Sequence, residues 1–327
     1  MNNFAMNYQA EKQLALKIVT EGAKLCQRVQ QTDAGKAFKK ADTSPVTVAD
    51  FGAQAILCKG LIERFPDDPV IGEEDATLLQ KPDLAGVRQQ IIEQVQQTIP
   101  TATPDNVIDW INWGNGQLAQ RYWTLDPIDG TKGFIRGDQY AVALALVEDG
   151  EVKLGVLACP AFPREDGGKG VIFLGIRGQG AVEIPLEGGN SQPIKVDPSS
   201  NFEQLYRIES VESVHSDRRV QTAVDRRLGL TYTAKQMDSL AKYGAIARGD
   251  AHFYTRVPLP QFKGKKENIW DHAPGVIIVE EAGGKVTDLE GKPLDFSLGA
   301  QLSNNNGVLA TNGAIHAQVL AAIEQEK

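Results

Sequence analysis

Apolar residues recur at helical spacing near the start of the chain. Leu14, Ile18, Leu25 and Val29 place one stripe on a helix predicted over residues 8–31. The polar, small-residue run TDAGKAFKKADTS that follows predicts a mobile loop. Val46 and Val48 then alternate with polar positions, as in a short strand. From Asp50 the spacing of Phe51, Ile56, Leu57 and Leu61 turns helical, with Asp50 where an N-cap is expected. Pro69-Val70-Ile71-Gly72 predicts a short strand that delivers Glu73, Glu74 and Asp75 at its end. Residues 76–107 are rich in Gln and predict an irregular or helical insertion.

The middle of the chain alternates at the strand period. Residues 123–126 predict a strand that stops at Asp126. QYAVALALVEDGEVKLGVLACP predicts two strands turning at Asp149-Gly150, the first so apolar that it belongs in the centre of a sheet. VIFLGIRGQGAVEI predicts another hairpin. LYRIESVES predicts a strand ending near His215, and SDRRVQTAVDRRLGL a helix capped by Ser216. DSLAKYGAIARGDAHFYTRVP predicts a short helix and a strand. In NIWDHAPGVIIVEEAGGKVTD, Asp271 opens a helix, Pro274 fits its first turn and Gly283-Gly284 ends it. GVLATN and AIHAQVLAAIEQE close the chain as strand and helix. Mixed strands and helices predict a layered α/β or α+β fold. The expected division is residues 1–165 and residues 166–327, with the boundary in the 162–170 region.

Composition narrows the function. The chain has 327 residues, 42% apolar, and a net charge of −8. That charge argues against broad binding to nucleic acid or an anionic membrane. Cys26, Cys58 and Cys159 are widely spaced and form no CxxC pair, so free buried thiols are expected. No apolar run reaches a membrane span and the N-terminus lacks a signal-peptide pattern, so a soluble cytoplasmic protein is expected.

The chemistry concentrates in WTLDPIDGTKGF, residues 123–134. Asp126 and Asp129 lie three positions apart in an apolar setting. Pro127 keeps Asp126 out of the helical region. Gly130 allows a tight turn, after which the amides of Gly130, Thr131 and Lys132 can face an anion. Paired acids beside such amides make sense if a hard divalent cation lies between carboxylates and a phosphate. On residue type alone, Glu73, Glu74 and Asp75 read as a solvated loop, and Asp50 and Asp271 as helix caps. Taken singly, His215 reads as a structural histidine, Ser239 as a residue satisfying a helix end, and Lys242 and Arg256 as surface charges.

Together SPVTVAD, IGEED, WTLDPIDGTKGF and IWDHAPG, in that order, resemble the inositol monophosphatase superfamily of Mg²⁺-dependent, lithium-sensitive phosphatases. VESVHSD, SLAKY and YTRVP are similar to the branch that hydrolyses 3′(2′),5′-bisphosphate nucleotides. The resemblance implies an αβαβα sandwich with metals and substrate between two subdomains. It implies that Glu73, Asp126, Asp129 and Asp271 bind Mg²⁺, two or three ions, with the Ile128 carbonyl as a further ligand. Glu74 is expected to stay a solvated acid. Asp50 and Thr131 would act on the attacking water. Gly130 and Thr131 would hold the scissile phosphate, and His215, Ser239, Lys242 and Arg256 the nucleotide and its second phosphate. The implied substrate is 3′-phosphoadenosine 5′-phosphate (PAP), with its sulfated precursor; millimolar lithium would inhibit. No nucleic acid, membrane or obligatory protein partner is expected. The alternatives are the same chemistry on inositol phosphates or fructose bisphosphate, and a non-catalytic PAP sensor, against which the intact acid set weighs.

Overall fold

A computed structural model describes residues 8–32, 37–40, 45–262 and 264–326, the side chains of Lys39, His215 and Phe262 excepted. Helix α1 (Gln9–Gln30) follows the predicted stripe. Of the expected mobile loop, residues 33–36 and 41–44 lie outside the described residues. Between those two segments β1 (Phe38–Lys39) pairs with β2 (Pro45–Val46). Helix α2 (Val48–Arg64) starts earlier than predicted. Thr47 is the N-cap, and Asp50 is the third helical residue, whose carboxylate reaches back to the Thr47 amide and hydroxyl. Asp50 is therefore the reciprocal half of a capping box rather than the cap itself.

A seven-stranded sheet has the order β3-β4-β5-β6-β7-β8-β9. Its strands are β3 (Val70–Gly72), β4 (Arg121–Asp129), β5 (Ala141–Glu148), β6 (Glu151–Pro163), β7 (Lys169–Ile176), β8 (Gly180–Pro185) and β9 (Gln192–Ile194). Only the β3–β4 pair is parallel. Residues 76–120, between those two strands, form short 3₁₀ turns, α3 (Ala85–Gln96) and α4 (Pro104–Asn112). Strand β4 runs three residues past the predicted stop. Pairing with β5 shifts register between Asp126 and Asp129, and Pro127 occupies the bulge, where its missing N–H leaves no gap in the ladder. A division at 165/166 would cut this sheet between β6 and β7, which pair along most of their length. The sheet changes only between Ile194 and Arg207, because β5 to β9 are successive antiparallel neighbours joined by short turns.

The second sheet has the order β11-β10-β12-β14-β13. It contains β10 (Arg207–Glu209), β11 (Lys235–Gln236), β12 (Phe253–Arg256), β13 (Lys285–Thr287) and β14 (Val308–Thr311). Strand β10 is shorter than predicted, and residues 213–215 form a 3₁₀ turn instead. Helix α6 (Arg218–Leu228) is capped by Asp217, not Ser216; the Ser216 hydroxyl instead receives the Val257 amide. The short helix α5 (Thr131–Arg136), α7 (Ala241–Ala247), α8 (Ala273–Glu281) and α9 (His316–Glu326) complete the described α-helices. The layers run α1 and α2, first sheet, α7 and α8, second sheet, α6 and α9. This is the expected αβαβα order. Among the described residues no helix is long and apolar enough to cross a membrane.

The alternation within β5 explains how two helical layers share one sheet. Val142, Leu144 and Leu146 point into the core under α1 and α2. Ala141, Ala143, Ala145 and Val147 face the core beneath α7 and α8. The small side lets α8 come close. A Cβ on Gly155 would lie 2.6 Å from the Pro274 carbonyl oxygen, and one on Gly175 would lie 2.9 Å from the Ile278 Cα. Helix backbone thus comes down almost onto sheet backbone at these two glycines, with the Ile277 side chain also touching Gly155.

Candidate active site

Two elements bring three acids together. The bulge at the end of β4 supplies Asp126 and Asp129, and the turn entering α8 supplies Asp271. One carboxylate oxygen from each lies within 4.8 Å of the others. Asp126 is buried; Asp129 and Asp271 are half-buried. Burial raises Asp126 well above the usual carboxylate range, and Glu73, Asp129 and Asp271 raise it further. Asp271 is raised in the same direction by burial and then by Asp129. Burial carries Asp129 to about 6 even though Lys242, the Leu240 amide and Arg256 favour its charge. Acids this close repel as anions and tolerate one another only when protonated or joined by a cation. The all-oxygen donor set fits a hard ion such as Mg²⁺.

Glu73 enters from β3. Gly72 pairs with Leu125, so the residue after it borders Asp126. Glu73 also bonds Lys40 at 2.9 Å. Glu74 was expected to be solvated, but it is buried, bonded to the same Lys40 ammonium, and raised well above the carboxylate range by burial and Glu73. Its burial follows from Gln54, which sequence reasoning missed. The Gln54 carboxamide accepts from the Glu74 amide at 3.0 Å. It donates to the Glu74 carbonyl and, at 2.8 Å, to the Ile111 carbonyl. A polar residue on the apolar side of α2, in ADFGAQAILC, was the available signal.

Asp50 and Thr131 meet as expected. The Thr131 hydroxyl lies 3.2 Å from Asp50 Oδ1 and 3.2 Å from the Ile128 carbonyl oxygen. Burial raises Asp50 to about 6, with Thr47 opposing and Glu73 assisting. Gly130 has φ +86° and precedes α5, and a Cβ there would lie 2.9 Å from that of Ser239. The first amides of α5 therefore sit beside the acid cluster.

The distal residues are partly assembled. Ser239, with φ 67°, accepts the Ala241 amide on its hydroxyl and caps the turn into α7. Lys242 is buried, donates to the carbonyls of Ser239 and Met237 at 2.6 and 3.2 Å, and lies over the Tyr254 ring. Burial lowers it to about 8. Lys242 and Arg256 are therefore not the surface charges that residue type alone suggests. Arg256 Nη2 pairs with Glu267 at 2.8 Å. The His215 side chain lies outside the described residues. Its turn is tied to α5 by Glu212, which bonds Lys132 at 3.0 Å and Arg136 at 2.9 Å.

A model of the "Inositol monophosphatase family" matches residues 3–327. A 3′(2′),5′-bisphosphate nucleotidase of Schizosaccharomyces pombe is 40% identical, covering 97% of this chain and 96% of the relative. One from Emericella nidulans is 38% identical, covering 98% and 99%. Among solved structures, a Thermotoga maritima IMPase aligns with TM-score 0.69 at 22% identity, covering 97% of this chain and 98% of that one.

Proposed function

Because the chain belongs to the inositol monophosphatase family, we propose that it hydrolyses the 3′-phosphate of PAP, and of its sulfated precursor, giving AMP and phosphate from PAP. The observation that carries this reading is the near-full-length match, at about 40% identity, to 3′(2′),5′-bisphosphate nucleotidases. The family is Mg²⁺-dependent, and two or three ions are proposed here. Asp126, Asp129 and Asp271 would hold Mg²⁺, with Glu73 and the Ile128 carbonyl completing the donors. Bound there, Mg²⁺ neutralises charge on phosphoryl oxygens and acidifies a bound water.

The chain's own residues position and move protons. Asp50 and Thr131 form the base pair for the attacking water: the Thr131 hydroxyl passes a proton toward Asp50 Oδ1, 3.2 Å away. Asp50 Oδ2 is occupied by Thr47, so only one oxygen is free to accept. With its pKa near 6, Asp50 is ionised above neutrality and available as a base. Gly130 and Thr131 amides would orient the scissile phosphate. Lys242 and Arg256, with Ser239 and His215, would bind the rest of the nucleotide. Positioning and charge stabilisation dominate phosphoryl transfer, so little covalent work is left to the protein. The proposed setting is cytoplasmic, with a small nucleotide bisphosphate as the only partner. Phosphate release from PAP, inositol 1-phosphate and inositol 1,4-bisphosphate, with and without Mg²⁺ and lithium, tests the reading. Mg²⁺-dependent, lithium-inhibited release from PAP is expected; release confined to the inositol phosphates would overturn it.

A further inference from the structure

Arg136 ends α5, and each of its three side-chain nitrogens meets a different carboxylate. Nε donates to Asp138 Oδ2 at 3.0 Å, Nη1 to Glu212 Oε1 at 2.9 Å, and Nη2 to Asp238 Oδ2. The other Glu212 oxygen takes Lys132 Nζ at 3.0 Å, so two cations four residues apart on one face of α5 share this acid. Glu212 immediately precedes the 3₁₀ turn Ser213–His215, and Asp238, which is buried, immediately precedes Ser239. The turn at residues 238–240 sits directly on α5. A Cβ on Gly133 would lie 2.9 Å from Asp238 Oδ2, and one on Gly130 would lie 3.3 Å from the Ser239 amide nitrogen. Ser239 keeps a left-handed φ of 67°, which a non-glycine residue holds only where its surroundings over-determine it. The Leu240 amide, at the far end of that turn, donates to Asp129.

We propose that Arg136 is a positioning residue whose guanidinium fixes the turns at 213–215 and 238–240 against α5, and so sets the span between the turn that holds the scissile phosphate and the residues that bind the rest of the nucleotide. This rests on the nucleotidase reading above. His215 lies in one clamped turn. Ser239 lies in the other and Lys242 follows it, while Thr131 opens the helix from which Arg136 reaches. Isolated ion pairs at a surface contribute little, but a planar fork that joins segments distant in sequence fixes geometry as well as energy. Lysine is no substitute, because one ammonium on a flexible stem has no fork to span Glu212 and Asp238. Of the two products, AMP occupies the far end and feels a displaced turn. Inorganic phosphate occupies the α5 end and does not.

Inhibition of PAP hydrolysis by AMP and by inorganic phosphate, measured with Mg²⁺ present, tests this. Arg136→Met is expected to raise Ki for AMP and KM for PAP about tenfold, leaving Ki for inorganic phosphate within about twofold of the parent. Arg136→Lys, which keeps the charge and loses the fork, should raise Ki for AMP about threefold. A residue needed only to keep α5 folded would weaken both products alike. Parent-like Ki for AMP in either variant, or a joint loss of AMP and phosphate affinity, overturns the inference. If Arg136→Met does not fold, Arg136→Lys carries the test alone. If the parent itself converts no PAP, the nucleotidase reading fails before Arg136 is altered, and the premise of the positioning role goes with it.

Discussion

Replacing Asp129 by Asn should stabilise the metal-free protein while destroying its activity. In the fold, Asp129 titrates near 6 rather than at its ordinary 3.8, first because of burial. A carboxyl raised in the fold contributes fully below its unfolded pKa, and the contribution is lost as pH rises through the folded value. The window is therefore pH 4 to 6, and at pH 8 ionisation costs about 3 kcal/mol. Asn keeps an oxygen for the Leu240 amide that Asp129 binds now, but the bond is no longer charge-assisted. That loss is already contained in the net shift, so the gain stays at about 3 kcal/mol. For 327 residues, unfolding entropy converts this to a rise in Tm of about 4 °C. Thermal melts in chelator at pH 8 measure it, and the gain should shrink toward zero as pH falls from 6 to 4. Saturating Mg²⁺ should reverse the order, because only the parent keeps the full ligand set. An Asn variant that melts at or below the parent in chelator at pH 8 would refute the electrostatic reasoning.

Gln54→Leu should cost about 3 kcal/mol in urea unfolding, since it strands the Glu74 amide and carbonyl and the Ile111 carbonyl. It should also raise the Mg²⁺ concentration for half-maximal rate, because Glu73 is held by the same corner. Thr131→Ala should lower kcat by about 10²- to 10³-fold, and Thr131→Ser should recover most of it, because only the hydroxyl reaches Asp50. Steady-state kinetics on the three proteins decides this; equal losses in both variants would assign Thr131 a packing role.

The mix of strands and helices and the Asp126–Asp129 pair were legible because each is written locally, whereas the layer order and the arrival of Asp271 were implied only by the family resemblance. Helical stripes, the all-apolar β5 and the Asp149-Gly150 turn, where both residues have positive φ, depend on neighbours in sequence. Asp126 and Asp129 are three residues apart, so their meeting needed only a bulge. What sequence did not reveal depends on distant neighbours. Glu74 looks like its solvated neighbours until Gln54 and Lys40 are brought against it from other elements. Glu267 sits in the polar run KGKKEN, and nothing there signals that Arg256 will lie beside it. The extent of the first sheet was also hidden. Its later hairpins carry no chemistry, so a boundary drawn from glycine-rich loops cut through continuous pairing.

The direct seating of α8 on Gly155 and Gly175 bears on how well the site keeps its dimensions. Asp271 arrives from the turn entering α8, and its two companions come from a strand of the sheet on which α8 rests. At Gly175 only α8 backbone meets the sheet, and at Gly155 one Ile277 methyl joins the Pro274 backbone, so little there can swing or shrink to alter the spacing. The aperture of the metal cage is thus gauged largely by main chain lying on main chain, with fewer side chains free to alter it than in an ordinary helix-on-sheet contact.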